Sequence, residues 1–136
     1  LALKAKTVTG VELVSEAVEA AKENAKLNGL DNCSFIAGDV FEVLEKLEQK
    51  PDVIVVDPPR KGCEESLLQT IVDMQPEKVV YVSCDSATLA RDVKFLRKNG
   101  YEIRKVTPVD QFPNTCHVET VVLLSQLKKS LIGRNL

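Results

Sequence analysis

The sequence predicts an α/β fold built on a mostly parallel, doubly wound sheet. Short apolar runs alternate with helical periodicity along the chain, the pattern of strand–helix–strand units. The run Val53-Ile54-Val55-Val56 is continuously apolar, as in a central strand covered on both faces. Several runs close on a polar residue, at Glu12, Asp39, Asp57 and Cys84. Such residues belong on the carboxyl rim of the sheet, where α/β proteins gather their ligands. The length of 136 residues suits one compact domain, and 44% hydrophobic with 28% charged residues is an ordinary globular balance.

Taken in order, residues 1–6 read as the end of a helix without its beginning, so the chain is expected to be a piece of something longer. Residues 7–11 form a strand that ends in Glu12. A helix over 15–28 follows, with Val14, Val18, Ala21 and Ala25 on one face. Glu16 and Glu19 near its start suit the helix dipole, and Asn28-Gly29 stops it. Residues 34–37 are a second strand, followed by Gly38-Asp39. A helix over 40–48 turns Phe41, Leu44 and Leu47 inward until Lys50-Pro51 breaks it. The strand over 52–56 runs into Asp57-Pro58-Pro59-Arg60-Lys61-Gly62. A helix over 64–74 buries Leu67, Leu68 and Ile71. The strand Val79-Val80-Tyr81-Val82 leads to Cys84, and a helix over 86–99 buries Leu89, Val93 and Leu96. Asn99-Gly100 closes it. Strands over 101–107 and 117–124 are joined only by a loop, so they pair antiparallel at one edge. Residues 125–136 read as a polar, loosely held tail.

Composition narrows the function classes. No apolar run approaches a membrane span, and no signal-peptide pattern opens the chain. A net charge of -2 offers no overall basic footprint for nucleic acid, so grip on a polyanion must come from local clusters. The 4 cysteines are widely spaced, none in a CxxC pair, and there is 1 histidine, which gives little support for a metal site. Free thiols in a reducing cytosolic setting are the simplest account.

Cys84 sits where a strand ends and a helix begins. The partial positive charge of a helix N-terminus favours a thiolate, so Cys84 is a candidate nucleophile, with a buried structural cysteine as the plain alternative. Glu12 is a candidate for ribose hydroxyls, and Asp39 would lie near a purine edge. Singly, each acid reads as a solvated loop residue or helix cap. With Asp57 they make three acids on one rim, which points to a nucleoside-bearing cofactor. A Gly-rich phosphate loop is absent, which argues against NAD. Pro58 and Pro59 fix the backbone after Asp57, and Gly62 lets the chain pass close to a neighbour.

Three motifs occur in order: DPPRKG at 57–62, SCDSATLARD at 83–92 and FPNTCHVETV at 112–121. With GVE at 10–12, KENAKLNG at 22–29 and AGD at 37–39, they cover nearly the whole chain. Together they resemble the TrmA/RumA-type RNA 5-methyluridine methyltransferases. The resemblance implies a Rossmann-like S-adenosylmethionine-dependent methyltransferase sheet with an antiparallel edge strand, lacking the first strand and its loop. It implies a partial catalytic domain over 1–124, with the family's RNA-binding and central domains absent upstream. Cys84 would add to C6 of a uracil and Glu119 would remove the C5 proton. Glu12, Asp39 and Asp57 would hold S-adenosylmethionine, Asp57 also facing the uracil. The partner would be RNA, ribosomal (23S) rather than transfer, in the cytoplasm, with no membrane and no metal. Where the family has Ser-Cys-Asn-Pro, this chain has Ser83-Cys84-Asp85-Ser86, and Ser86 is expected to cap the helix.

The chemistry explains why these groups are wanted. Uracil C5 is a poor nucleophile until a thiolate adds at C6 and turns the ring into an enolate. After methyl transfer a base must take the C5 proton so that the thiolate can leave. His117 would share a face with Glu119 by strand alternation. Arg60, Lys61, Arg91, Lys94 and Lys98 are candidates for RNA phosphates, although most such charges are solvated faces. Cys33, Cys63 and Cys116 read as structural or incidental. Two other readings stay open: an amino-group methyltransferase, which would want an aromatic residue where Arg60 stands, and a non-catalytic RNA- or nucleotide-binding module.

Overall fold

The computed structural model describes residues 1–47 and 49–127. They divide into two compact units, Leu1–Glu48 and Gln49–Leu136.

The first unit holds β1 (Val8–Glu12), α1 (Ser15–Leu27), β2 (Cys33–Ala37) and α2 (Val40–Glu45). β1 and β2 pair in parallel, from Val8 opposite Cys33 to Glu12 opposite Ala37. α1 buries Val18 and Ala25 as its periodicity predicts, but Val14 takes the N-cap position and stays exposed. Gly29 follows the helix at φ +63, the left-handed conformation that ends helices at little cost. The expected helix tail at the start is a single turn, with Lys4 N–H and Ala5 N–H donating to Leu1 O. Asn32 Nδ2 pins that turn by donating to the carbonyls of Ala2 and Ala5, at 2.8 and 2.9 Å. α2 is shorter than its sequence pattern. Phe41 lies exposed in its first turn, and Leu44 and Leu47 are half-buried. The predicted end at Glu48 falls outside the described residues.

The second unit holds β3 (Val53–Val56), α3 (Glu65–Met74), β4 (Lys78–Ser83), α4 (Ser86–Lys98), β5 (Tyr101–Val109) and β6 (Glu119–Gln126). Its sheet has the order β3-β4-β6-β5. β3 and β4 are parallel, and β6 runs against both β4 and β5. β5 and β6 pair antiparallel, as their short connection requires. The reversed strand β6 lies one place in from the edge, with β5 outermost. β3 was expected at the centre, but in this sheet it is the other edge. Ile54 is buried while Val53 and Val55 are exposed, because a continuous apolar run gives a strand's character and not its place.

Val79 and Tyr81 of β4, Leu124 of β6, Ile71 of α3 and Leu96 of α4 are fully buried and form the core. Leu68, Leu89 and Val93 join it from the helices, as their spacing predicts. The expected tail begins later than residue 125. Ser125 and Gln126 are part of β6, Gln126 N–H donates to Glu77 O, and Leu127 N–H donates to Gly100 O at 2.8 Å. The rest of that tail, 128–136, lies outside the described residues.

Candidate active site

In the first unit, the Glu12–Ala37 pairing puts Glu12 and Asp39 at the same end of the two strands. Both carboxylates are exposed and each is anchored through one oxygen. Glu12 Oε1 accepts from Val14 N–H at 3.0 Å. Asp39 Oδ1 accepts from Phe41 N–H at 2.8 Å and Glu42 N–H at 3.4 Å, so Asp39 is also the N-cap of α2.

In the second unit, three strand ends converge. Val56 pairs with Tyr81, so Asp57 leaves β3 beside the end of β4. Ser83 pairs with Thr120 as the last pair of the β4–β6 ladder, so Cys84 leaves β4 next to the point where β6 begins at Glu119. Neighbouring strands lie about 5 Å apart, so these groups share one rim. Within β6 the two-residue period puts Glu119 in phase with Val121, opposite the face that Val122 buries in the core, while Cys84 lies in the bend just past β4. Cys84 and Glu119 are half-buried and Asp57 is exposed. The buried thiol is instead Cys63, at 6% exposure. Burial raises its pKa above 9.0.

The turn that presents Cys84 is tightly held. Ser83 Oγ donates to Asp85 O at 2.8 Å and accepts from Asp85 N–H at 3.1 Å. Asp85, not Ser86, caps α4: its Oδ1 accepts from Ala87 N–H at 3.0 Å and Thr88 N–H at 2.9 Å. The family's asparagine position is thus the cap, and Ser86 is the first helical residue. Those N–H groups, expected to favour a Cys84 thiolate, are occupied by the Asp85 carboxylate. The Thr88 N–H and hydroxyl, aided by Ala87 N–H and the Arg60 charge, hold Asp85 below the usual carboxylate pKa.

The loop after Asp57 is fixed to α4. Gly62 N–H donates to Pro59 O at 2.8 Å. Thr88 Oγ1 donates to Arg60 O at 2.9 Å, and Arg91 NH2 donates to Lys61 O and Cys63 O at 2.9 and 3.1 Å. The fully buried Asp92 accepts from Cys63 N–H at 2.7 Å, Tyr81 OH at 2.6 Å and Arg91 Nε at 2.7 Å. Gly62 stands at φ +75, and a Cβ there would meet Arg91 NH2 and Asp92 Oδ2, each at 2.6 Å. Sequence reasoning missed Ser83, Thr88 and Asp92. The acid at position 92, inside a helical pattern beside an arginine, was the available signal.

Arg91 therefore braces the loop, although it still borders a groove of about 660 Å³ with Lys61, Lys94, Lys98 and the acids Glu64 and Glu65. Lys61 pairs with Glu64 at 3.3 Å. His117 precedes β6 instead of lying in it. Its ring meets Arg60 NH2 at 3.3 Å, joining the Asp57 loop to the segment that delivers Glu119.

Comparison with known proteins gives this arrangement a context. A sequence model described as tRNA (Uracil-5-)-methyltransferase matches residues 1–127. An uncharacterized RNA methyltransferase of Bacillus cereus is 55% identical over 132 residues, 95% of this chain and 29% of that protein. One from Clostridium tetani is 56% identical over 128 residues, 92% of this chain and 28% of that protein. The crystal structure of Pyrococcus abyssi tRNA (uracil-54, C5)-methyltransferase in complex with S-adenosyl-L-homocysteine superposes with a TM-score of 0.78 at 35% identity, covering 91% of this chain and 30% of that one. The chain thus spans less than a third of the length of these relatives. With the matched model reaching from the first residue to the end of β6, the chain belongs to the tRNA (uracil-5-)-methyltransferase family.

Proposed function

We propose that this chain carries the catalytic residues of an RNA (uracil-C5)-methyltransferase that uses S-adenosylmethionine. The observation that supports the reading is the β4–β6 register, whose last pair, Ser83 and Thr120, has Cys84 next along one strand end and Glu119 next along the other. Family membership supports an RNA uridine as the target, and the S-adenosyl-L-homocysteine in the Pyrococcus abyssi structure supports S-adenosylmethionine as the donor.

The residues suit that donor. Glu12 and Asp39 are exposed acids at neighbouring strand ends, and such groups accept hydrogen bonds from nucleoside hydroxyl and amine groups. In this reading Glu12 and Asp39 hold the adenosyl part, and Asp57 serves the cofactor and the uracil. S-adenosylmethionine supplies an activated methyl group on a sulfonium. The Cys84 thiolate adds to uracil C6, forming a C–S bond and moving the ring electrons toward an enolate, so that C5 becomes the nucleophile. As C5 takes the methyl group, the bond from the methyl carbon to the sulfonium sulfur breaks and S-adenosylhomocysteine is left, and the Glu119 carboxylate then takes the C5 proton. The electrons left behind restore the C5–C6 double bond and expel the Cys84 thiolate. A thiolate nucleophile also fits a reducing, cytoplasmic setting.

The test is formation of 5-methyluridine in RNA by protein of the relatives' full length. Wild type produces it, and Cys84→Ala abolishes it. Retention of wild-type turnover by Cys84→Ala overturns the reading. Our finer reading makes ribosomal RNA, 23S, the target. Methylation of transfer RNA alone, with both RNAs assayed side by side, overturns that choice and leaves the reaction intact.

A further inference from the structure

We propose that Asp92 is a positioning residue that fixes the loop carrying Asp57 against the helix that follows Cys84. This inference rests on the functional reading above. Asp92 is fully buried and faces three donors: Tyr81 OH on β4, Cys63 N–H at the end of the loop, and Arg91 Nε on its own helix. Tyr81 is held protonated, and so able to donate, by burial and by this bond to Asp92.

The contacts reach three loop residues through one face of α4. Thr88, Arg91 and Asp92 stand at i, i+3 and i+4 and bind Arg60 O, Lys61 O, Cys63 O and Cys63 N–H. Gly62 gives no side chain and lets the loop approach the Arg91 and Asp92 side chains. α4 begins two residues after Cys84, with Asp85 as its cap. One carboxylate thus ties together β4, the loop that starts at Asp57 and the helix that starts beside Cys84. An apolar residue there would leave two buried donors, Cys63 N–H and Tyr81 OH, without an acceptor. What the carboxylate adds is direction, because it fixes where a backbone N–H and a phenol must lie.

Asn at this position keeps the shape, but with its oxygen where Oδ2 accepts from Cys63 N–H and Tyr81 OH its NH2 meets Arg91 Nε, donor against donor, and turned over it faces Cys63 N–H and Tyr81 OH with a donor instead. The loop would then settle elsewhere, and misplacement near 1 Å can lower a rate about 100-fold. The experiment compares wild type, Asp92→Asn, Thr88→Val and Leu96→Ala, each at the relatives' full length and assayed where it is folded. Leu96 is a fully buried core residue, so its variant controls for lost stability. Amide hydrogen exchange at Cys63 and Val79 is read alongside. We expect Asp92→Asn to lower kcat about 10- to 100-fold, Thr88→Val to lower it less, and Leu96→Ala to keep the wild-type value. In Asp92→Asn the Cys63 amide loses protection while the Val79 amide keeps it. Wild-type kcat in Asp92→Asn, or an equal loss in Leu96→Ala, overturns the positioning role and leaves the functional reading standing. An inactive wild type overturns the functional reading and this inference with it.

Discussion

Cys63 and Cys116 show how far burial separates two thiols of one chain. Cys63 is buried against Tyr81 and its pKa is raised by burial, while Cys116 is exposed. Alkylation of the native protein near pH 8, mapped by mass spectrometry, should modify Cys116 early and Cys63 only on unfolding. Equal rates at both contradict the packing described. Glu119→Gln should still form the Cys84 adduct with RNA but release it slowly, because proton removal precedes release. Rapid turnover by that variant moves the base to another residue. At this scale the sequence marked candidate residues through motifs better than it showed what each one touches. Cys84 and Glu119 stood out through their motifs. Asp85 was read as part of the motif and proved to be the cap. Asp92 went unread because its partners Tyr81 and Cys63 lie 11 and 29 residues away, and no local period connects them.

α4 serves three ends at once. Leu89, Val93 and Leu96 face the core, Asp85 caps its start, and Thr88, Arg91 and Asp92 hold the loop after β3. The apolar face was legible from its 3.6-residue period. The polar face was not, because bracing side chains and solvated ones look alike in sequence. Gly62→Ala puts a Cβ where Arg91 and Asp92 already stand, on a backbone at φ +75. It should lower stability by more than about 1 kcal/mol in urea unfolding. A neutral result contradicts the tight approach. α2 shows the limit of periodicity in a short element: Phe41, Leu44 and Leu47 repeat helically, yet the helix ends at Glu45 with Phe41 exposed.

Across the whole molecule, strand–helix alternation made the α/β class legible, and the loop between the last strands made their antiparallel pairing legible. Strand order was not: in the four-stranded sheet β3, whose apolar run suits a central strand, lies at an edge, because its neighbours are set by pairing partners far along the chain. Burial raises Cys63, Tyr81 and Tyr101 above 9.0, 10.0 and 10.0, the values that govern the unfolded chain. The native state therefore keeps protons that the unfolded state releases. Stability should hold below about pH 9 and fall as pH climbs above it. Asp85 is shifted the other way, so its contribution is present at neutral pH and is lost as pH drops below 3.8 toward its native value. Urea melts across pH check both limbs, and a flat alkaline limb contradicts the burial of these groups. The proposed reaction turns on a transient bond between Cys84 and a pyrimidine ring, and protein of the relatives' full length, incubated with S-adenosylmethionine and RNA containing 5-fluorouridine, should trap it, because fluorine cannot leave as a proton. Mass mapping should find the nucleotide on the peptide that contains Cys84, and none in Cys84→Ala. No adduct with wild type, or an undiminished adduct in Cys84→Ala, would contradict the account.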